Sequence, residues 1–223
     1  MKLIAVASQK GGCGKTTLVA HLAVQAERAG AGPVMMIDGD PQGTLTQWWT
    51  DRGSMTPGLL KRAGQDGRIH DIGLPADIQS LRDFGARFVF IDTPPGITTE
   101  IRQAIQYADI AVIPVRPSPH DLRASAATVA LAKKLGKEVL FVINGAAVRS
   151  RIAADAVVAL AQHGPVAPVI VHQRVDFAVS MIDGGTTMER RPASRSSQEM
   201  ESLWRYLDDR IEGRVDLALR EVG

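Results

Sequence analysis

Cysteine is nearly absent from this chain: Cys13 is the single one among 223 residues. That excludes an intramolecular disulfide framework, a cysteine-rich zinc site and any cluster drawing several thiolates from one chain. Such usage fits a reducing cytoplasm. Aromatic residues are scarce too, at 4%, so small, β-branched and alanine-rich segments must fill the core, as they do in strands buried on both faces. No apolar stretch approaches the roughly 18–20 residues that span a bilayer. The opening run Met1–Ser8 is cut off by Gln9 and Lys10, too early for a signal segment. Neither sign of charge dominates: 26 Lys and Arg face 24 Asp and Glu, a formal +2. The overall field therefore announces no nucleic-acid partner, and any basic patch must be local.

What is present is a globular composition, 45% hydrophobic and 22% charged, over a length that suits one domain, 1–223, at roughly 100–200 residues per domain. Short apolar runs recur at Leu3–Ala7, Val34–Ile37, Phe88–Ile91, Ile110–Val115, Val139–Ile143 and Val169–Val171. Between them lie segments of helical periodicity, including Thr17–Arg28, Thr98–Tyr107, Leu122–Leu135 and Ile152–His163. Strand alternating with helix predicts an α/β fold, a doubly wound, mostly parallel sheet with helices on both faces. Right-handed crossovers then gather the carboxyl ends of the strands on one edge, where ligands of open α/β sheets bind. The stretch Gly53–Gly73 is turn-rich and predicts irregular structure with one short helix. A last helix, Ser197–Ile211, carries Met200, Leu203, Trp204, Leu207 and Ile211 as an apolar stripe.

The strongest chemical signal is Lys10-Gly11-Gly12-Cys13-Gly14-Lys15-Thr16-Thr17, after the first strand and opening the first helix. Glycines let the backbone turn tightly so that successive N–H groups face phosphate oxygens, and the helix amino terminus adds partial positive charge. In such a cradle Lys15 reaches the β- and γ-phosphates and the Thr16 hydroxyl ligates magnesium. The pattern G-x-x-x-x-G-K-[ST] is missed at its first position, where Gln9 stands. Two carboxylates, Asp38 and Asp40, follow the second strand at i and i+2, a spacing that suits a magnesium and water site and also an ordinary acidic turn. Asp92 ends the apolar strand Phe88–Ile91 and opens Asp92-Thr93-Pro94-Pro95-Gly96, which reads as a magnesium-supporting acid with Gly96 near the γ-phosphate, or as a buried strand-end cap. Cys13, though at a helix amino terminus, has no well-placed histidine and reads as an unreactive loop residue.

Lys10, five residues before Lys15 on the same loop, makes the sequence resemble the ParA/MinD family of deviant Walker A ATPases, whose signature is Lys-Gly-Gly-x-Gly-Lys-Thr. The resemblance implies a P-loop NTPase fold with ATP and Mg²⁺ as cofactors. It makes Lys10 the signature lysine that reaches the partner's ATP across a dimer. Lys10, Gly11, Gly12, Cys13, Gly14, Lys15, Thr16 and Thr17 then hold nucleotide, Asp40 orients the attacking water, and Thr16, Asp38 and Asp92 serve the metal. Asp-x-Asp-Pro-Gln at 38–42 leans toward the ParA branch. By the same resemblance Asn144 reads the adenine edge, and Pro168–Gln173 continues the base-binding wall. The cluster cysteines of the related nitrogenase iron protein are lacking.

Relatives of ParA type bind nonspecific DNA as ATP-bound homodimers, which makes Arg149, Arg151 and Arg174 the candidate DNA contacts. Arg190, Arg191 and Arg195 form a second basic cluster. The resemblance further implies a ParB-like adaptor or cargo protein that stimulates the ATPase, no stable membrane association, and a cytoplasmic, nucleoid-associated location. A membrane-surface regulator of MinD type needs a basic amphipathic tail, whereas Gly213–Gly223 carries two basic and two acidic residues. A P-loop metabolic kinase or ligase is opposed by Lys10 and the Asp-Pro-Gln segment. Because the first strand begins near Lys2, no operator-reading module is expected ahead of it.

Overall fold

In the computed structural model, which describes residues 1–60 and 73–215, the predicted alternation of strand and helix is realised. The elements run β1 (Lys2–Val6), α1 (Lys15–Arg28), β2 (Val34–Asp38), α2 (Thr44–Asp51), β3 (Gly58–Leu60), α3 (Leu74–Asp83), β4 (Phe88–Asp92) and α4 (Thr99–Tyr107). They continue with β5 (Ile110–Val115), α5 (Pro119–Lys134), β6 (Glu138–Ala146), α6 (Arg151–Ala161), β7 (Val171–His172), α7 (Val175–Met181), α8 (Thr187–Arg190) and α9 (Arg195–Ile211). Among the described residues the strands form one seven-stranded sheet in the order β3-β2-β4-β1-β5-β6-β7, and every pairing is parallel.

Strand alternation sorts the core into two layers. Ile4, Val6, Phe88 and Phe90 face α1 and α9, packing with Leu18, Leu22, Leu203 and Trp204. Leu3, Ala5, Val89 and Ile91 face the opposite side, where α3 and α4 supply Ile78, Leu81 and Ala104. The same far side continues under α5 and α6 through Ile113, Phe141, Val129 and Leu160. Both faces are covered, which explains apolar runs without polar alternation. Trp204 helps close the near layer; its ring meets Phe88 edge-on at 5.1 Å and 80°. Trp204→Ala should destabilise the chain by about 3–5 kcal/mol, read as a lower urea midpoint at unchanged slope.

Several boundaries move from their sequence positions for a common reason: side-chain caps, rather than apolar periodicity, set where helices begin. The Ser118 hydroxyl accepts from the Asp121 amide, and Pro119 occupies the first turn, so α5 starts three residues before Leu122. Ser194 caps α9 in the same way, so the helix starts at Arg195, two residues ahead of Ser197. In the turn-rich stretch, Gly58–Leu60 pairs with β2 as β3 rather than forming a helix, while 61–72 lie outside the described residues. The tail from 216 onward also lies outside them. No helix among the described residues is long and apolar enough to cross a membrane.

Candidate nucleotide site

Three strand ends converge because their registers coincide. Val6 of β1 and Asp38 of β2 both lie opposite Asp92 of β4, which runs between them. The closeness is enforced at Gly39, whose amide donates to the Asp92 carbonyl at 3.0 Å. A Cβ there would stand 2.7 Å from that oxygen, so the residue between the two acids has to be glycine. The glycine-rich loop leaves β1 at this edge, and Gly14 reaches α1 with φ 90°, in the left-handed region. Its missing Cβ is also what admits Asn144: an added carbon would lie 2.3 Å from Asn144 Nδ2, which donates to the Cys13 carbonyl at 2.6 Å.

The loop is anchored from outside. The Gln9 amide donates to Thr128 Oγ1 of α5 at 3.1 Å, and the Gln9 carbonyl accepts from the Gly96 amide at 2.8 Å. Lys10 Nζ bonds Asp121 Oδ2 at 2.7 Å, and Lys15 Nζ reaches the Lys10 carbonyl at 3.4 Å. Cys13 is buried, with its thiol donating to that same carbonyl at 3.4 Å.

Thr16 Oγ1 donates to Asp92 Oδ2 at 2.6 Å. Asp92 is fully buried, and its other oxygen, Oδ1, has no hydrogen-bond partner. Burial pushes its carboxyl up to about 7; the Thr16 hydrogen bond opposes this, and the charge of Asp38 adds to it. A buried carboxylate oxygen left without a donor suits a cation, and hydroxyl with carboxylate is a hard donor set of the kind magnesium takes. Among the described residues no group of three or more His, Cys, Asp or Glu is placed to hold a metal, so phosphate and water oxygens have to complete such a shell.

Asp38 and Asp40 differ in setting despite their spacing. Asp38 is buried, accepting from the Thr46 amide and hydroxyl, both at 2.8 Å, so that it grips the first turn of α2. Asp40 lies in the following turn and accepts from the Gln42 amide at 3.0 Å. One of the pair is structurally occupied and the other accessible. Thr46, Asp121 and Thr128 were not legible as site residues, although Ser118-Pro119-His120-Asp121 carries the spacing of a helix cap. His21 was missed as well. It is fully buried on α1 with Nδ1 2.8 Å from the Thr17 carbonyl, while Nε2 accepts from the Thr187 amide at 3.2 Å. Those partners require the neutral Nδ1–H form, and burial lowers its pKa to about 4.

The arginines differ in their settings. Arg149 is exposed with φ 62°, and Arg151 is exposed at the start of α6. Arg174 shares a groove with Arg149, but its guanidinium is held by Glu199 at 2.8 Å. In the second basic cluster Arg190 pairs with Asp183 and Arg191 with Asp176 at 2.9 Å.

A glycine-rich loop between the first strand and its helix, with Lys15 and Thr16 opening the helix and an acid ending the adjacent strand, defines a P-loop nucleotide site. The profile described as "CobQ/CobB/MinD/ParA nucleotide binding domain" matches residues 4–187, and the chain belongs to that family. It is 29% identical over 205 residues to the maintenance of carboxysome distribution protein A of Halothiobacillus neapolitanus, covering 88% of this chain and 91% of that one. The protein of the same name from Gloeobacter kilaueensis is 35% identical over 130 residues, 57% of this chain and about half, 55%, of its own length. The septum site-determining protein MinD of Pyrococcus horikoshii, solved with Mg-ADP, shares the fold at a TM-score of 0.77 and 22% identity, with 93% of this chain and 96% of that chain covered.

Proposed function

We propose that this chain, acting as one domain, is a ParA-type ATPase that forms an ATP-sandwich homodimer, binds DNA without sequence preference and positions a cargo on it. The observation that carries the reading is the pair of lysines on one anchored loop beside a buried acid with a free oxygen. Backbone amides from Gly11 to Thr17 cradle the phosphates, and Lys15 turns from the Lys10 carbonyl to the β- and γ-phosphates. Thr16 and Asp92 would hold Mg²⁺, with Asp38 supporting its shell; the ion would neutralise charge that develops on the phosphates. Asp40 orients the attacking water, Gly96 senses the γ-phosphate, and Lys10 reaches the partner's nucleotide. Asn144 bonds the adenine edge. Water takes the phosphoryl group, giving ADP and phosphate, and catalysis is mostly positioning and electrostatics. A ParB-like adaptor or the cargo itself stimulates turnover and resets the cycle in the cytoplasm, at the nucleoid.

Light scattering of an Asp40→Ala variant with ATP and Mg²⁺ tests the dimer; a species that stays monomeric at every protein concentration would rule it out. DNA affinity should appear only with ATP and fall steeply with salt. Arg149→Ala and Arg151→Ala should each reduce the salt slope by about one contact. Arg174→Ala should change it least, because Glu199 already holds that guanidinium. Equal losses for all three would place Arg174 in the contact surface after all.

A further inference from the structure

Strand β7 leads into the groove shared by Arg149, Arg174 and Arg195, about 540 Å³ in volume and lined also by His172 and Gln198. Arg149 and Arg195 are exposed. One carboxylate stands among these cations. Glu199 of α9 accepts from the His172 amide at 3.0 Å, lies 2.8 Å from His172 Nδ1 and holds Arg174 at 2.8 Å. Burial alone would raise its carboxyl; the bonds from Arg174 and His172, with the charge of Arg174, hold it below the ordinary range instead. It is therefore ionised at neutral pH.

The grip on Arg174 is incomplete. Only one terminal nitrogen meets the carboxylate, whereas a guanidinium fork can bond both oxygens side by side. The second oxygen is taken by the β7 backbone, and Arg174 Nε is buried without a hydrogen-bond partner among the described residues. A phosphate that competes for Arg174 displaces one bond rather than two. It does so against a negative charge fixed beside that guanidinium, and like charges brought together at an interface oppose binding.

We propose that Glu199 is the positioning residue of the basic groove: it aligns Arg174 and His172 and, by its charge, holds the DNA affinity of the assembled dimer below what its arginines alone would give. The inference rests on the DNA-binding reading above. A weakened contact in each copy suits a protein that has to release DNA when its two copies part, because attachment then depends on both copies at once.

The test titrates nonspecific duplex DNA, at several salt concentrations, against the full-length Asp40→Ala protein with ATP and Mg²⁺. Glu199→Gln keeps the length of the side chain without its charge; it should tighten binding about tenfold and steepen the salt slope by about one contact. Glu199→Asp keeps the charge but shortens the reach, and should bind no tighter than its parent. Both variants disturb the tie between β7 and α9, so weaker binding by both, or tighter binding by both, would overturn the role of the charge. Arg174→Ala should remove about one contact from the slope in the Glu199→Gln background and much less in the parent. If Glu199→Gln proves poorly folded, the parent background decides: Arg174→Ala costing as much slope as Arg149→Ala overturns the proposal, and a smaller cost upholds it. A folded Glu199→Gln that binds no tighter than a DNA-binding parent overturns the proposal and leaves the functional reading standing. A parent that binds no DNA with ATP overturns that reading, and the proposal with it.

Discussion

Lys10→Gln is expected to lower adaptor-stimulated ATP turnover by on the order of 10³-fold while leaving the folded chain nearly as stable as before. The size follows from what a cation supplied across an interface does in phosphoryl transfer: it stabilises charge on the transferring group, an effect worth about 10³–10⁵ in rate where an arginine plays the part. The small stability change follows from the setting. Lys10 is half exposed, and the pair it makes with Asp121 is of a kind that contributes at most about 1 kcal/mol. Glutamine keeps much of the stem. Steady-state turnover with saturating adaptor, read beside a thermal melt, separates the two effects. Turnover within a few-fold of the parent would show that the charge of Lys10 acts only locally.

Asp92→Asn carries the second large effect, and it should move activity and stability in opposite directions. Loss of the charged oxygen beside Thr16 should cut magnesium-dependent hydrolysis by at least about 10²-fold, the scale seen when one aligned stabilising group is removed from an active site. The nucleotide-free protein should nevertheless melt higher above neutral pH. Burial raises the Asp92 carboxyl to about 7, so between an unfolded value near 3.8 and that figure the folded chain binds a proton that the unfolded chain has released. Stability from this group is therefore full at low pH and is lost as pH climbs through about 7. Asparagine has no such loss. The melting advantage of the variant should thus grow from pH 4 to 7 and level off above, and an advantage independent of pH would contradict the assignment of charge to burial. For the parent protein, magnesium and ATP should release a proton on binding near neutral pH, since a metal requires the ionised carboxylate.

The phosphate loop was legible because its chemistry is local. Gly12 and Gly14 adopt positive φ, Lys15 and Thr16 open a helix, and each requirement falls within a run of eight residues. The strand ends bearing Asp38 and Asp92 were legible for a similar reason, since an acid after an apolar run marks where a buried strand reaches solvent. By contrast Asp121, Thr128 and Thr187 act on residues more than 100 positions away. No periodicity announces a partner at that distance. The short helix α2 left a faint trace, Leu45, Trp48 and Trp49 at i, i+3 and i+4, obscured by the turn residues on either side.

The arginines show the same division. Counting charge along the chain marks Arg174, Arg190 and Arg191 as basic positions, yet the fold sets Glu199, Asp183 and Asp176 against them. Which arginines are left for a partner is a matter of which surfaces meet, not of composition.

The sequence by itself determined the alternating α/β architecture, the position of the phosphate loop and the family to which the chain belongs, because apolar periodicity and glycine placement are written in adjacent residues. The tertiary structure alone decided that Asp38 grips α2 while Asp40 stays accessible, that Asp92 keeps one oxygen without a donor, and that the scarce thiol of Cys13 is buried against the Lys10 carbonyl. The bonded partners of Asp38, Asp40 and Cys13 lie within eight residues of them, but which of these groups is desolvated is settled only once the parallel strands have brought their carboxyl ends to one edge.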